Sequence, residues 1–245
     1  SISIVREKET TENKVYVFIC IILVSFNLRP AITSVGPLMN AIREDMGISN
    51  GVAGFITTLP LLSFAIFSFI APKLANHFGL ERMIFIGLLV LLLGIFIRYI
   101  SSLVTLFLGT ALVGVGIAIA NVLLPSMVKN EFPLKIGFIT SVYTTCLSSF
   151  SAIGTGLSIP ISEGLNVGWK NTLFIWGVLT ILAIIFWIPI MKKKKSENES
   201  RKLGNDAGTF QTRSIWRSSL AWQVTLFMGL QSFIFFSMIT WISTL

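Results

Sequence analysis

Residues 15–39 read VYVFICIILVSFNLRPAITSVGPLM. Twelve positions from Val15 to Phe26 are apolar or small, as suits a helix crossing a bilayer, whose core takes about 20 such residues. Then Asn27, Arg29 and Pro30 interrupt. Arg29 lies 14 residues after Val15, so it falls about 21 Å into a core roughly 30 Å thick, at 1.5 Å per residue. That is too deep for easy snorkelling to the near side. An arginine there is costly and by default marks a ligand or a pathway. The bland alternative is a structural cation bonded to helix carbonyls or reaching outward past Gly36. Pro30 removes the bond to the Phe26 carbonyl and can kink the helix. Ser25 and Thr33, at i−4 and i+4, share the Arg29 face, whereas Asn27 does so only if the proline distorts the turn.

The rest of the chain repeats the apolar pattern. Of 245 residues, 53% are hydrophobic and 12% charged, with a mean hydropathy of +0.82. A soluble domain would carry roughly a quarter charged residues. Further apolar runs cover 51–71, 83–100, 103–128, 136–161, 171–191 and 220–245. The fold class is therefore all-α integral membrane. Seven runs in this order, the last two separated by a polar stretch, suggest a six-helix half joined to the first helix of a second. The domains expected are a cytoplasmic N-terminus (1–14), a six-helix bundle (15–191), a basic linker (192–219) and the first helix of the second half (220–245). The linker, containing KKKKSENESRKLGNDAGTFQTR, is too polar to bury a core and is expected to be mobile.

Charge orients the chain. One side receives Arg6, Lys8, Lys14, Lys73, Arg82, Lys129, Lys135, Lys192 to Lys195, Arg201, Lys202, Arg213 and Arg217, fifteen in all; the other receives Arg43 and Lys170. Loop Lys and Arg mark the cytoplasmic side, which predicts an inside N-terminus in a multi-pass protein of the cell membrane. The net charge of +8 follows from this loop asymmetry and does not call for a nucleic-acid partner. Val15–Met39 has no small-residue cleavage site and reads as a span, not a signal. Cys20 and Cys146 lie inside apolar runs as small hydrophobes. A single histidine, His77, in a loop, and eleven acidic residues outside the runs leave no metal site, no cofactor site and no nucleophile–base pair for a membrane-embedded enzyme.

Polar residues inside the other runs are the remaining candidates. Thr140, Thr144, Ser148, Ser151 and Thr155 follow steps of 4, 4, 3 and 4, one helical face. Such hydroxyls can line an aqueous path or let helices pack closely. Tyr143 lies beside them, with a hydroxyl able to reach a cavity. Gly114, Ala118, Asn121 and Pro125 form a small face; three are simply packing or bending residues, while the Asn121 amide needs a neighbouring helix or a solute. Gln231 is either interhelical glue or a solute contact, and Trp241 either an interface anchor or a solute contact. Arg98, beside Tyr99 and Ser101, is explained by snorkelling to the outer surface.

Asn27–Leu38 (NLRPAITSVGPL), Ala71–Arg82 (APKLANHFGLER), Asn121–Pro133 (NVLLPSMVKNEFP) and Ala221–Trp241 (AWQVTLFMGLQSFIFFSMITW) resemble the cyanate/nitroimidazole transporter branch of the major facilitator superfamily. The resemblance implies a twelve-helix carrier of two six-helix halves, alternating access around a midplane site between repeats, and a small polar or anionic solute. Arg29 and Gln231 are candidate contributors to such a site, and with the polar residues read above the solute-site candidates are Arg29, Thr33, Asn121, Tyr143, Thr144, Gln231 and Trp241. The resemblance also implies a gating loop between helices 2 and 3, where the superfamily carries a Gly-x-x-x-Asp-Arg-x-Gly-Arg-Lys type motif. Aligned on Gly79, Pro72 stands at the first glycine, Asn76 at the aspartate and His77 at the first basic position. Leu80 and Glu81 replace the later basic pair, with Arg82 just after. The aspartate charge is lost, but Gly79 can still make the tight turn. The antiporter-type helix 5 motif is not seen. The partners expected are the solute, the bilayer and a C-terminal half of about five more helices beyond Leu245. The alternative is a truncated or split fragment that transports nothing alone; a drug exporter fits less well.

Overall fold

Proline and glycine decide where the helices of this chain begin, bend and stop. The computed structural model describes residues 2–100, 102–202 and 219–242, all of them helical or in short connections. In chain order the helices are α1 (Ile2–Asn27), α2 (Pro30–Thr33), α3 (Val35–Met46), α4 (Asn50–Phe78), α5 (Leu80–Tyr99), α6 (Leu103–Glu131), α7 (Ile136–Ile159), α8 (Gly168–Lys202) and α9 (Ser219–Ile242). Among the described residues, six helical segments are long and apolar enough to cross a membrane: Glu12–Thr33, Asn50–Phe78, Leu80–Tyr99, Leu103–Glu131, Ile136–Gly164 and Gly168–Lys193.

The first apolar run is not one kinked helix. It is three helices, because α1 stops at Asn27, two residues before Arg29, and α2 stops at Thr33. Pro30 has no amide to give the Phe26 carbonyl, and its ring crowds that carbonyl, so the ladder fails over a turn and restarts with Pro30 at the first helical position. Gly47, at φ +62, then ends α3 by sending its amide to the Arg43 carbonyl, the left-handed stop that glycine makes at least cost. Ser49 starts α4, its hydroxyl accepting from the Val52 amide. After α7, Pro160 cannot bond back to Gly156, and the chain widens into a π-helical turn, Pro160–Gly164.

In a bilayer there is no water to drive helices together, so close backbone contact and dispersion hold the bundle. Glycine supplies the contact between α5 and α6. A Cβ at Gly94 would lie 2.7 Å from the Gly109 carbonyl oxygen, and one at Gly116 would lie 2.5 Å from that of Gly87. On another face of α6, a Cβ at Gly114 would lie 2.7 Å from Pro60 Cα in α4. The small face expected around Gly114 is thus a packing face. The main core joins Ile21 and Val24 of α1, and Leu28 just after it, with Ile84, Leu88 and Leu91 of α5, Leu124 and Met127 of α6, Tyr143 and Leu147 of α7, and Trp187 of α8. A second cluster, of Val35, Leu38, Ile42, Ile56, Leu106, Trp169 and Leu173, closes the other end. Beside it Asp45 accepts from the Trp169 indole at 3.1 Å and pairs with Lys170 at 3.4 Å.

Two segments expected as loops carry helix where they are described. In the 71–82 segment, α4 continues through Pro72, Asn76 and His77 to Phe78, and Arg82 already lies in the first turn of α5, so only Gly79 separates the two helices. An exposed proline in a long helix loses one bond without losing the helix. Likewise α8 runs on through Lys192–Lys195 to Lys202, where a linker was expected. Residues 203–218 lie outside the described ones.

Candidate functional site

The break in the first span is built by three neighbours. Around it the main chain tightens: the Leu28 amide bonds Ser25 O at 3.2 Å, and the amides of Ile32 and Thr33 both bond Arg29 O at 3.0 Å. Arg29 itself has φ −124° and ψ −48°, outside the helix that ends before it and the one that starts after it, and is partly buried. Arg29 therefore sits where the backbone leaves its ladder, as the eighteenth of the 22 residues in the span Glu12–Thr33.

From one side α7 presses against the break. A Cβ at Gly154 would lie 2.9 Å from both Pro30 Cα and Thr33 Oγ1. Thr33 donates to Arg29 O at 3.1 Å or Ser151 O at 3.3 Å, and Thr155 donates to Ser151 O at 3.0 Å, with Thr33 O at 3.5 Å. Phe26 stacks on Phe150, ring centroids 4.0 Å apart. The hydroxyl stripe of α7 thus divides: Ser151 and Thr155 pack against α2, while Thr144 is exposed and bonds Thr140 O at 2.8 Å. For this end of the stripe, close packing is the answer to the alternatives the sequence left open.

From α8, Thr180 donates to Asn27 Oδ1 at 2.9 Å, and the Asn27 amide nitrogen donates to Leu23 O at 2.7 Å and Leu179 O at 3.2 Å. Asn27 is interhelical glue at the last residue of α1. From α5 comes the residue that sequence reasoning misplaced. Arg98 does not snorkel. It is 2% exposed, and its Nη1 and Nη2 both donate to the Ala31 carbonyl oxygen at 3.1 Å. The signal that could have found it is Gly94, one turn earlier on α5, which with Gly109 makes room for a side chain to turn inward.

The structure brings together Arg29 and Thr33, with Ser151 and Thr155 beside them. Tyr143 lies in the main core beside Leu147, and Thr144 stands seven residues from Ser151, about 10 Å along α7. Asn121 is partly buried on α6. Gln231 is exposed on α9, and the Trp241 side chain lies outside the described residues. Of the residues expected at a gating loop, Pro72, Asn76 and Arg82 are exposed, and Gly79 has φ +96°. The turn is held to α8 by Trp187, whose indole donates to the Glu81 carbonyl oxygen at 2.9 Å. Among the described residues no group of His, Cys, Asp or Glu is placed to hold a metal ion.

This bundle of broken and glycine-packed spans has known counterparts. The family model for the Major Facilitator Superfamily matches residues 17–245. The chain belongs to the Major Facilitator Superfamily. Superfamily relatives include the transporter YycB of Bacillus subtilis, 50% identical over 90% of this chain and 53% of its own length. The 2-nitroimidazole transporter of Escherichia coli is 36% identical over 94% of this chain and 57% of its own. The cyanate transport protein CynX of Escherichia coli is 26% identical over 91% and 56% respectively. The chain thus spans about half the length of the curated relatives it matches. A crystallised peptide transporter, POT, solved with sulfate, shares the fold with a TM-score of 0.59 at 16% identity, over 91% of this chain and 46% of that one. Family and relatives are transporters, not enzymes, as the scarcity of acids and histidines in the spans led us to expect.

Proposed function

We propose that this chain forms one wall of a secondary transporter that moves a small anionic or polar solute by alternating access, with Arg29 as the contact that recognises it. The observation that carries this is Arg29, a cation inside an apolar span, standing at a main-chain break. A guanidinium there offers five donors in a planar fork, which matches a small delocalised anion or a planar nitro group. Cyanate and 2-nitroimidazole, after which two relatives are named, are solutes of that description. Broken helices near the midplane are a recurring way for transporters to present polar groups to a solute.

Around this centre Thr33 fixes the Arg29 carbonyl, and Asn121, Tyr143 and Thr144 supply further first-half contacts. Gln231 and Trp241 are the solute contacts proposed from the second half. The N-terminus faces the cytoplasm, following the basic-residue asymmetry, and the six-helix bundle of 15–191 is joined to 220–245 through 192–219. Gly79 is the cytoplasmic hinge point, with Pro72, Asn76 and Arg82 presented at the gate. Uptake of radiolabelled cyanate and 2-nitroimidazole by cells expressing the protein, with Arg29→Ala beside it, tests the reading. Saturable uptake that is lost in the variant at equal membrane abundance supports it, and uptake that is indifferent to the substitution overturns it.

A further inference from the structure

Arg98 is the most buried cation described in this chain, at 2% exposed, and it serves a single main-chain atom. Both terminal nitrogens converge on the Ala31 carbonyl oxygen, while Nε has no hydrogen-bond partner. The bundle makes way for this. A Cβ on Gly109 would lie 2.5 Å from Arg98 Cγ and 2.8 Å from its backbone nitrogen. A methionine would fill the same volume without desolvating a charge, and replacing a buried charged group by a packed apolar one is often neutral or better for stability. Helix packing alone therefore gives no reason for an arginine.

The place of Ala31 gives one. It is the second residue of α2, the four-residue helix that separates the Leu28–Arg29 break from the Ser34 interruption, and it lies two residues from Arg29. A short helix with interruptions at both ends has few bonds of its own to keep its register. Arg98, anchored on the rigid α5, ties it down through a two-pronged, charge-assisted contact.

We propose that Arg98 is a positioning residue for the Arg29 site, its fork holding Pro30–Thr33 in the broken conformation that presents Arg29 to the solute. This rests on the reading of Arg29 given above. Lysine keeps the charge but is a point donor on a flexible stem and cannot reproduce the fork.

The test uses the protein with Cys20→Ala, Cys146→Ala and Ile32→Cys, which places one thiol on α2. Its labelling rate with N-ethylmaleimide is read alongside cyanate uptake, with Arg98→Lys and Arg98→Met introduced in turn. Either substitution is expected to change the labelling rate about tenfold and raise KM about tenfold, with Vmax held within about twofold. Arg98→Lys carries the test if Arg98→Met does not reach the membrane. Unchanged labelling and unchanged KM in Arg98→Lys overturn the proposal. If Arg29→Ala leaves uptake intact while labelling still responds to Arg98→Lys, the clamp stands and the solute role of Arg29 falls. If Arg29→Ala abolishes uptake and Arg98→Lys moves neither readout, the clamp falls alone.

Discussion

Gly154 of α7 lies against Pro30 so closely that a methyl group on it would come within 2.9 Å of the proline Cα. The contact is to main chain, so it cannot be relieved by turning a side chain. Gly154→Ala is expected to push α7 away from the broken segment and lower uptake at least about fivefold, with a loss of stability of about 1–3 kcal/mol for overpacking. Gly156, two residues on, has nothing within 4 Å of its would-be Cβ, so Gly156→Ala is the control and should behave as wild type. Uptake and the thermal midpoint of the detergent-solubilised protein check both.

The same logic predicts which glycines hold the bundle irrespective of the solute. Gly116→Val should lower the thermal midpoint, since its Cβ would lie 2.5 Å from Gly87 O and 2.6 Å from Leu91 N. Gly36→Val, where nothing lies within 4 Å, should lower it far less. A reversed order would remove the glycine contacts as the reason that α5 and α6 lie so close.

Much of this was legible beforehand. The apolar runs marked the spans because each exceeds what a soluble helix keeps uncharged, and Arg29–Pro30 marked the break because the cost of both residues falls on one turn. Gly79 at φ +96° is the glycine turn expected. What was not legible depended on direction. Arg98 sits at the end of a run, where an outward and an inward stem look alike unless Gly94 is paired with Gly109, and that pairing is across helices. The 71–82 segment was expected as a loop from the end of the apolar run and from the resemblance, yet Pro72 is accommodated inside α4. The α7 stripe spaced its hydroxyls evenly, but packing against α2 claims Ser151 and Thr155 and leaves Thr144 exposed.

Asn27 and Thr180 bond at 2.9 Å across α1 and α8. A double-mutant cycle with Asn27→Ala and Thr180→Val should give a coupling of about 0.5–1.5 kcal/mol, the range for a side-chain bond between membrane helices. Reversible unfolding in mixed micelles measures it. Zero coupling would mean that the pair does not join the two helices.

At the α4–α5 turn, Gly79 has a backbone conformation that residues with a Cβ rarely adopt. Gly79→Ala is expected to cost about 1 kcal/mol or more in strain. If this turn moves with the gate, Vmax for uptake falls while KM is held. A change confined to KM would place the effect at the solute site instead.

Arg29 carries the most direct measurement: equilibrium binding and uptake of radiolabelled cyanate and a panel of small carboxylates by purified protein in liposomes, wild type against Arg29→Gln and Arg29→Lys. Glutamine should abolish saturable anion binding, and lysine should retain a weaker remnant, because it keeps the charge and loses the fork. Wild-type affinity and rate in Arg29→Gln, at equal incorporation, would contradict a solute site at the helix break.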